Sequence, residues 1–322
     1  MSCSRVAFLG LLGALTLAVA GFTWAQYEGS FQRTLSVSGP VQMTVQTGSG
    51  AIVVRRGAAG VVSIRAIIRG RDQDQIHEIE QHPPVEQSGN IIEIGRLSGD
   101  LGRNIAISYE ITTPAATSVK ASSGSGSDTV TGLDGTVRAE TGSGRVELRQ
   151  IGGDASAETG SGGVAVSDVR AAVRASTGSG SIEIDRAGGA ARASAGSGSI
   201  TVHGVQGEAR VATGSGSIQV TEAAAGVHAE TGSGTIVISG SLPALARWEA
   251  QSGSGGIILH VPAQTVAEVD LYSGSGSIDS SLPLTVRGTI NRHELHGFLH
   301  ETAPGRGAFI IARTSSGSIR ID

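Results

Sequence analysis

Gly-Ser-Gly returns along this chain at a fixed step. The first glycines of successive copies are Gly124, Gly142, Gly160, Gly178, Gly196, Gly214 and Gly232, and every interval is 18 residues. Two intervals of 21 follow, to Gly253 and Gly274, a degenerate copy, TSSGSIRID, closes the chain, and an early copy, TGSGAIVV, contains Gly48. Recurrence at about twenty residues marks a repeat architecture and outranks local propensity.

Aligning the repeats gives columns. After each motif stand Val146, Val164, Ile182, Ile200, Ile218 and Ile236, then Leu148, Val166, Ile184, Val202, Val220 and Ile238, with variable residues between them. Alternation with β-branched residues predicts a strand with one buried face. A second alternation pairs Val137, Ala155, Val173, Ala191, Ala209 and Val227 with Ala139, Ala157, Ala175, Ala193, Val211 and Ala229. Arg138, Ser156, Arg174, Arg192, Arg210 and His228 fall between and point outward. Each unit is thus strand, turn, strand, Gly-Ser-Gly turn.

Two architectures hold such units: a parallel β-solenoid or an antiparallel meander. In a solenoid, equivalent residues sit about 4.8 Å apart, which explains why Ile follows Ile and Ala follows Ala. A meander would also exceed the roughly ten strands that an open twisted sheet carries before curling or splitting. The expectation is an all-β parallel β-solenoid (β-helix) of about 18-residue coils with an irregular N-terminal β cap. The turn residues Gly142, Ser143, Gly144, Gly160, Gly162, Gly178, Gly180, Gly196, Gly198, Gly214, Gly216, Gly232 and Gly234 are then structural. Glycine lets the backbone reverse and neighbouring coils approach. The motif serines and the preceding Thr141, Thr159, Thr177, Thr213 and Thr231 are placed to bond turn groups through hydroxyl ladders.

The chain of 322 residues has 49 Gly, yet its hydrophobic share of 39% is too high for a disordered Gly/Ser linker. A net charge of −4 gives no reason to expect nucleic acid. Arg5 precedes an apolar run, Val6 to Ala20, with small-residue cleavage patterns ending at Ala20 and Ala25, which predicts a secretory signal peptide. The competing reading is a retained anchor, since the run approaches bilayer length. Cys3 precedes the run, so it is no lipid-attachment cysteine. The expected organisation is a signal peptide over 1–25, an irregular β region and cap over 26–120, regular repeats over 121–282, and terminal coils with a second cap over 283–322. No other apolar run reaches spanning length, so no stable transmembrane span is expected after cleavage.

The irregular β entry, the ITTPAATSVKASSGSG transition, the SGSGxI coils and the terminal TSSGSIRID resemble bacterial adhesin-type domains of unknown function, β-strand-repeat proteins of the cell envelope. The resemblance covers roughly residues 31–322. It implies a non-enzymatic envelope or surface protein and brings no catalytic residues.

The residues themselves agree on the lack of chemistry. No His or Asp recurs beside the turn serines, and a nucleophile needs a partnered base. Anion-cradling Gly loops need a following helix, whereas these turns feed strands. Asp128, Asp134, Asp168 and Asp185 fall at different repeat positions, so no calcium column forms. His293, His296 and His300 are the one weak metal candidate, with spacing unlike the helical His-Glu-x-x-His motif. No cofactor is expected. Arg174, Arg192 and Arg210 are a candidate anion-binding strip, because Ser176, Ser194 and Ala212 stand where outer coils carry Glu140, Glu158 and Glu230. The functional expectation is an exported adhesin or envelope scaffold, in the periplasm, at the surface or outside the cell, whose partner is an unidentified envelope protein or glycan. The alternatives are a polysaccharide-acting enzyme on a β-helix and an envelope-stress regulatory component.

Overall fold

The protein is described here by a computed structural model covering residues 26–97, 104–286, 293–300 and 307–322. The segment 1–25, expected to be a signal peptide, lies outside these residues. Among the described residues no helix is long and apolar enough to cross a membrane.

Each regular unit winds once round a flattened coil. Val137–Ser143 lies in a 15-stranded sheet, and Val146–Ile151 lies in a facing 14-stranded sheet. The next unit repeats this with Ala155–Ser161 and Val164–Val169. Pairing between units is parallel and in phase: Ala139 faces Ala157, Thr141 faces Thr159, Val146 faces Val164 and Leu148 faces Val166. The chain is therefore an all-β parallel solenoid of two sheets, one Ala-rich and one Ile/Val-rich. Their inward columns are buried through the regular coils. Small Ala opposite branched Ile and Val lets the two layers interdigitate.

The glycines are set by contact between coils. A Cβ on Gly198, at φ +131°, would stand 2.0 Å from the Gly180 carbonyl oxygen. A Cβ on Gly142 would stand 2.5 Å from that of Gly124. No side chain fits between such backbones. Beside them the threonines turn inward. The Thr141 hydroxyl donates to Gly126 O at 3.0 Å, Thr159 to Gly144 O at 3.0 Å, and Thr177 to Gly162 O at 2.9 Å. Thr213 and Thr231 continue the ladder to Gly198 O and Gly216 O. The motif serines face outward beside exposed glycines.

At the opposite corner the chain carries a feature that the repeat alignment does not announce. Gln150, Asp168, Arg186 and Glu222 have φ of +54°, +56°, +58° and +54°, and Gly132 and Gly204 stand in the same column at +79° and +67°. Each is skipped in the ladder, which resumes at Ile151, Val169 and their equivalents. An extra left-handed residue bends the strand sharply and sends the next apolar side chain inward. Ile151, Val169, Ala187, Val205 and Ala223 fill that corner.

The N-terminal end closes by antiparallel pairing. Ile52–Arg56 stacks on Asp128–Thr131, and Ile105–Thr113 stacks on Ile52–Arg56. Val61–Gly70 and then Tyr27–Ser36 add antiparallel strands. The only helix among the described residues, Gln73–Gln81, is capped by Asp72 and buries Ile76 and Ile79. Its Glu80 carboxylate accepts from Ser30 N at 2.8 Å, and the Gln87 amide donates to Ser36 O at 2.9 Å. These side chains occupy backbone groups of an edge strand that would otherwise template association.

The C-terminal end departs from sequence order. Arg247–Ser254 pairs with Ala308–Thr314, which pairs with Ala267–Ser273. In the other sheet Ile257 faces Ile319, which faces Ile278. The final coil is thus inserted between two earlier ones. The outermost strands of the Ala sheet at this end are Glu294–Leu299 and Leu284–Val286. The two 21-residue intervals have different causes. Between Gly232 and Gly253 the coils are adjacent and the corner is longer, whereas between Gly253 and Gly274 the chain skips a level.

Candidate functional site

The outer face of the Ala sheet carries three parallel columns. Lys120, Arg138, Ser156, Arg174, Arg192, Arg210 and His228 stand in register in the first. Ser122, Glu140, Glu158, Ser176, Ser194, Ala212 and Glu230 form the second. The third is bare backbone, Gly124 through Gly232. The structure therefore places Arg174, Arg192 and Arg210 side by side, about 4.8 Å apart.

Their charges are not equally available. Arg138 pairs with Glu140, and Arg210 Nε donates to Glu208 at 3.0 Å. His228 stands 3.5 Å from Glu249. Among the described residues Arg174 and Arg192 have no ion-pair partner. The uncompensated strip narrows to these two. Exposed charges at that separation repel by a little under ~1 kcal/mol in water, so the long side chains can splay.

Beside the basic column the missing side chains leave two shallow troughs. One of 570 Å³ runs past Ser122, Glu140, Glu158, Ser176 and the glycines Gly142, Gly160 and Gly178. The other, of 670 Å³, runs past Ser194, Ala212, Glu230 and Gln251 to Tyr272 and Arg313. Tyr272 is an exposed aromatic ring, and Arg313 donates to Asp270 at 3.2 Å. Trp248, the other aromatic candidate for stacking on a ligand, is wholly buried in the inward column, with Nε1 3.4 Å from Ala225 O.

A larger groove of 1080 Å³ follows the left-handed corner. Most of its charges neutralise one another. Arg186 donates to Asp168 at 2.8 Å, and this bond holds the Asp168 carboxyl below its usual range. Arg170 lies 3.7 Å from Asp134. Arg55 and Arg56 stand at one end of it.

The three histidines do not converge. His296 lies 3.7 Å from Glu268, and the His300 ring is 3.2 Å from Thr265 O. Among the described residues no group of three or more His, Cys, Asp or Glu is placed to hold a metal ion.

Two buried polar side chains have no hydrogen-bond partner. Asp128 occupies the inward column between Ile52 and Val146 and is fully buried, with neither carboxylate oxygen hydrogen-bonded. Burial pushes its carboxyl up to about 6, and the neighbouring Ser123 hydroxyl offsets only part of this. The signal was available, since Asp128 follows Gly124 by the same four residues that separate Val146 from Gly142. Tyr109 is the second, also buried and with an unpartnered hydroxyl.

No curated protein matches the chain. Several solved structures do, at low identity. A protein from Parabacteroides distasonis provisionally named as lipid binding is 14% identical, with 91% of this chain and 96% of that one covered and a TM-score of 0.41. Another from the same organism, provisionally named an adhesin, is 11% identical, with coverage of 91% and 97% and a TM-score of 0.41. A provisionally named cell adhesion protein from Clostridium sporogenes is 10% identical, with coverage of 91% and 99% and a TM-score of 0.24. The family model that matches is Toastrack DUF4097, over residues 186–321, a stretch that takes in the later repeats and the inserted final coil.

Proposed function

We propose that this chain is an exported, non-enzymatic binding scaffold that takes a linear anionic glycan of the cell exterior along the outer face of its Ala sheet. One observation carries the reading: two unpaired arginines, Arg174 and Arg192, stand in a basic column beside an unobstructed trough of glycine backbone. A polymer laid along these levels meets a cation on each of two successive coils and only the small Ser176, Ser194 and Ala212 beside them, with Glu140, Glu158 and Glu230 confined to the outer coils. Tyr272 offers an aromatic face at the trough's end. The N-terminal apolar run with its cleavage patterns supports export.

The test uses the chain from residue 26 onward against a glycan panel with uronate-rich, sulfated and neutral members. Binding to acidic members that weakens with salt is expected, because exposed charge contacts are screened. Arg174→Glu with Arg192→Glu should weaken it about tenfold or more, since repulsion replaces attraction at both positions. Retention of neutral glycans alone, or binding indifferent to the double substitution, would reject the assignment.

A further inference from the structure

The charges on the outer face of the Ala sheet are spaced as well as signed. On the levels of Arg174 and Arg192 the flanking positions carry no acid: Ala172 and Ala190 come before them, and Ser176 and Ser194 after. Acids return on both sides. One level toward the N-terminus, Asp154 and Glu158 flank Ser156. On the level of Arg210, Glu208 takes that guanidinium at 3.0 Å, and one level further Glu230 lines the trough. The stacking is continuous at these positions, since Ala155 N donates to Ala172 O, Val173 N to Ala190 O and Ala191 N to Glu208 O.

Glu158 and Glu230 share one outward column with Ser176, Ser194 and Ala212, four levels apart, which is about 19 Å at the spacing of paired strands. Glu158 lines one trough and Glu230 the other. Both are exposed. Among the described residues Glu158 makes no ion pair, and Glu230 has only His228, 4.0 Å away. Asp154 is engaged elsewhere, its carboxylate accepting from Ala172 N at 3.1 Å. Beyond Glu230 the trough is lined by Gln251, Tyr272 and an Arg313 already bonded to Asp270.

A short run of cations, closed at each end by a carboxylate in the ligand's path, makes a gauge. We infer that this face reads the length of an anionic run: it takes a glycan segment with two neighbouring acidic sugars, set against Arg174 and Arg192, while Glu158 and Glu230 turn away a chain whose charges continue past them. Uncharged sugars pass Glu230 toward Tyr272 without that repulsion. The inference rests on the glycan reading of the same face and adds the two glutamates as its specificity-determining residues. An acidic sugar one step from either carboxylate should bind about fourfold less well at low salt, the effect of exposed like charges about 5 Å apart.

The probes are digalacturonate and decagalacturonate, titrated at low salt into the chain from residue 26 onward and into its Glu158→Gln/Glu230→Gln variant. Replacing exposed carboxylates by amides of the same shape keeps the fold. The variant should bind the dimer nearly as the parent does and the decamer about tenfold more tightly, because two repulsions are removed. The decamer-to-dimer affinity ratio is the readout, since comparing it between the two proteins cancels the larger number of registers open to the longer chain. Its rise should vanish at high salt, where contacts between exposed charges are screened. An unchanged ratio, whether both affinities rise together or neither does, would overturn the gauge and leave the glycan reading standing. A rise that persists at high salt would overturn it as well. If neither oligomer binds either protein, the glycan reading falls and the gauge falls with it.

Discussion

Asp128 shows how one residue can oppose the fold that surrounds it. Its column is otherwise apolar, and the carboxyl is buried between Ile52 and Val146 with its ordinary value raised to about 6. An unfolded aspartate titrates near 3.9. The folded state therefore holds the proton at higher pH than the unfolded state does, and this group's destabilisation is complete above about pH 6. It fades as pH falls toward 4, so its contribution to stability improves on acidification by up to about 3 kcal/mol. Asp128→Val should stabilise the protein by a comparable amount at pH 7 and by little at pH 4. Denaturant midpoints of the two proteins across that range give the difference; a gap that does not narrow on acidification contradicts the assignment. A second residue breaks a ladder. Ala195 stands where its neighbours are Thr177 and Thr213, so no hydroxyl donates to Gly180 O as Thr177 does to Gly162 O. Ala195→Thr restores the missing bond in a site already shaped for threonine. A gain of about 0.5–1.5 kcal/mol is expected in the same denaturant measurement, and a loss would show that the local backbone has no room for it.

The coils and the two ends of the stack were not equally legible in the sequence. Buried Ile, Val and Ala columns could be read because parallel stacking forces like residues onto like residues at an 18-residue step. The left-handed corner could not, because Gln150, Asp168, Arg186 and Glu222 share a backbone shape without sharing side-chain chemistry. Only Gly132 and Gly204 hinted at it. The skipped level was hidden for a different reason: a lengthened corner and a bypassed level both give an interval of 21. What distinguishes them is the final coil, whose Ile310, Ala312, Ile319 and Ile321 are buried between neighbours from both sides. Of the candidate arginines, the column was readable from spacing, but the Arg210 bond to Glu208 depended on side-chain reach within one strand's approach. A prediction follows for the inserted element. Removing residues 307–322 opens a gap between Arg247–Ser254 and Ala267–Ser273 and exposes both facing edges. The shortened chain should lose stability by several kcal/mol and aggregate more readily, as unpaired edges do. A synthetic peptide of those residues should restore the transition midpoint. Normal stability without the segment would mean that the outer coil closes onto its neighbour unaided.

At the scale of the molecule the solenoid is nearly one-dimensional. Each coil contacts the levels above and below it, so stability is close to a sum over coils and their interfaces. The register makes this testable by deletion. Excising residues 173–190 joins Ala172 to Ala191 and brings Ala155 opposite Ala191 and Ala157 opposite Ala193, with every inward position still inward. Such a chain should fold with an unchanged strand spectrum and lose about 1–3 kcal/mol, a coil's share of typical stability per residue. Excising 17 residues from the same place shifts all later positions by one. In a strand that exchanges the buried and exposed faces, so Arg192 and Arg210 would turn into the core. That chain should fail to fold. If both deletions behaved alike, the coils would not be the repeating units of stability. The 18-residue excision removes Arg174 and keeps Arg192 beside Ser156, so binding to acidic glycans should weaken while the fold persists. Unfolding curves and glycan binding measured on the one excised protein therefore separate the role of the stack from the role of its basic column.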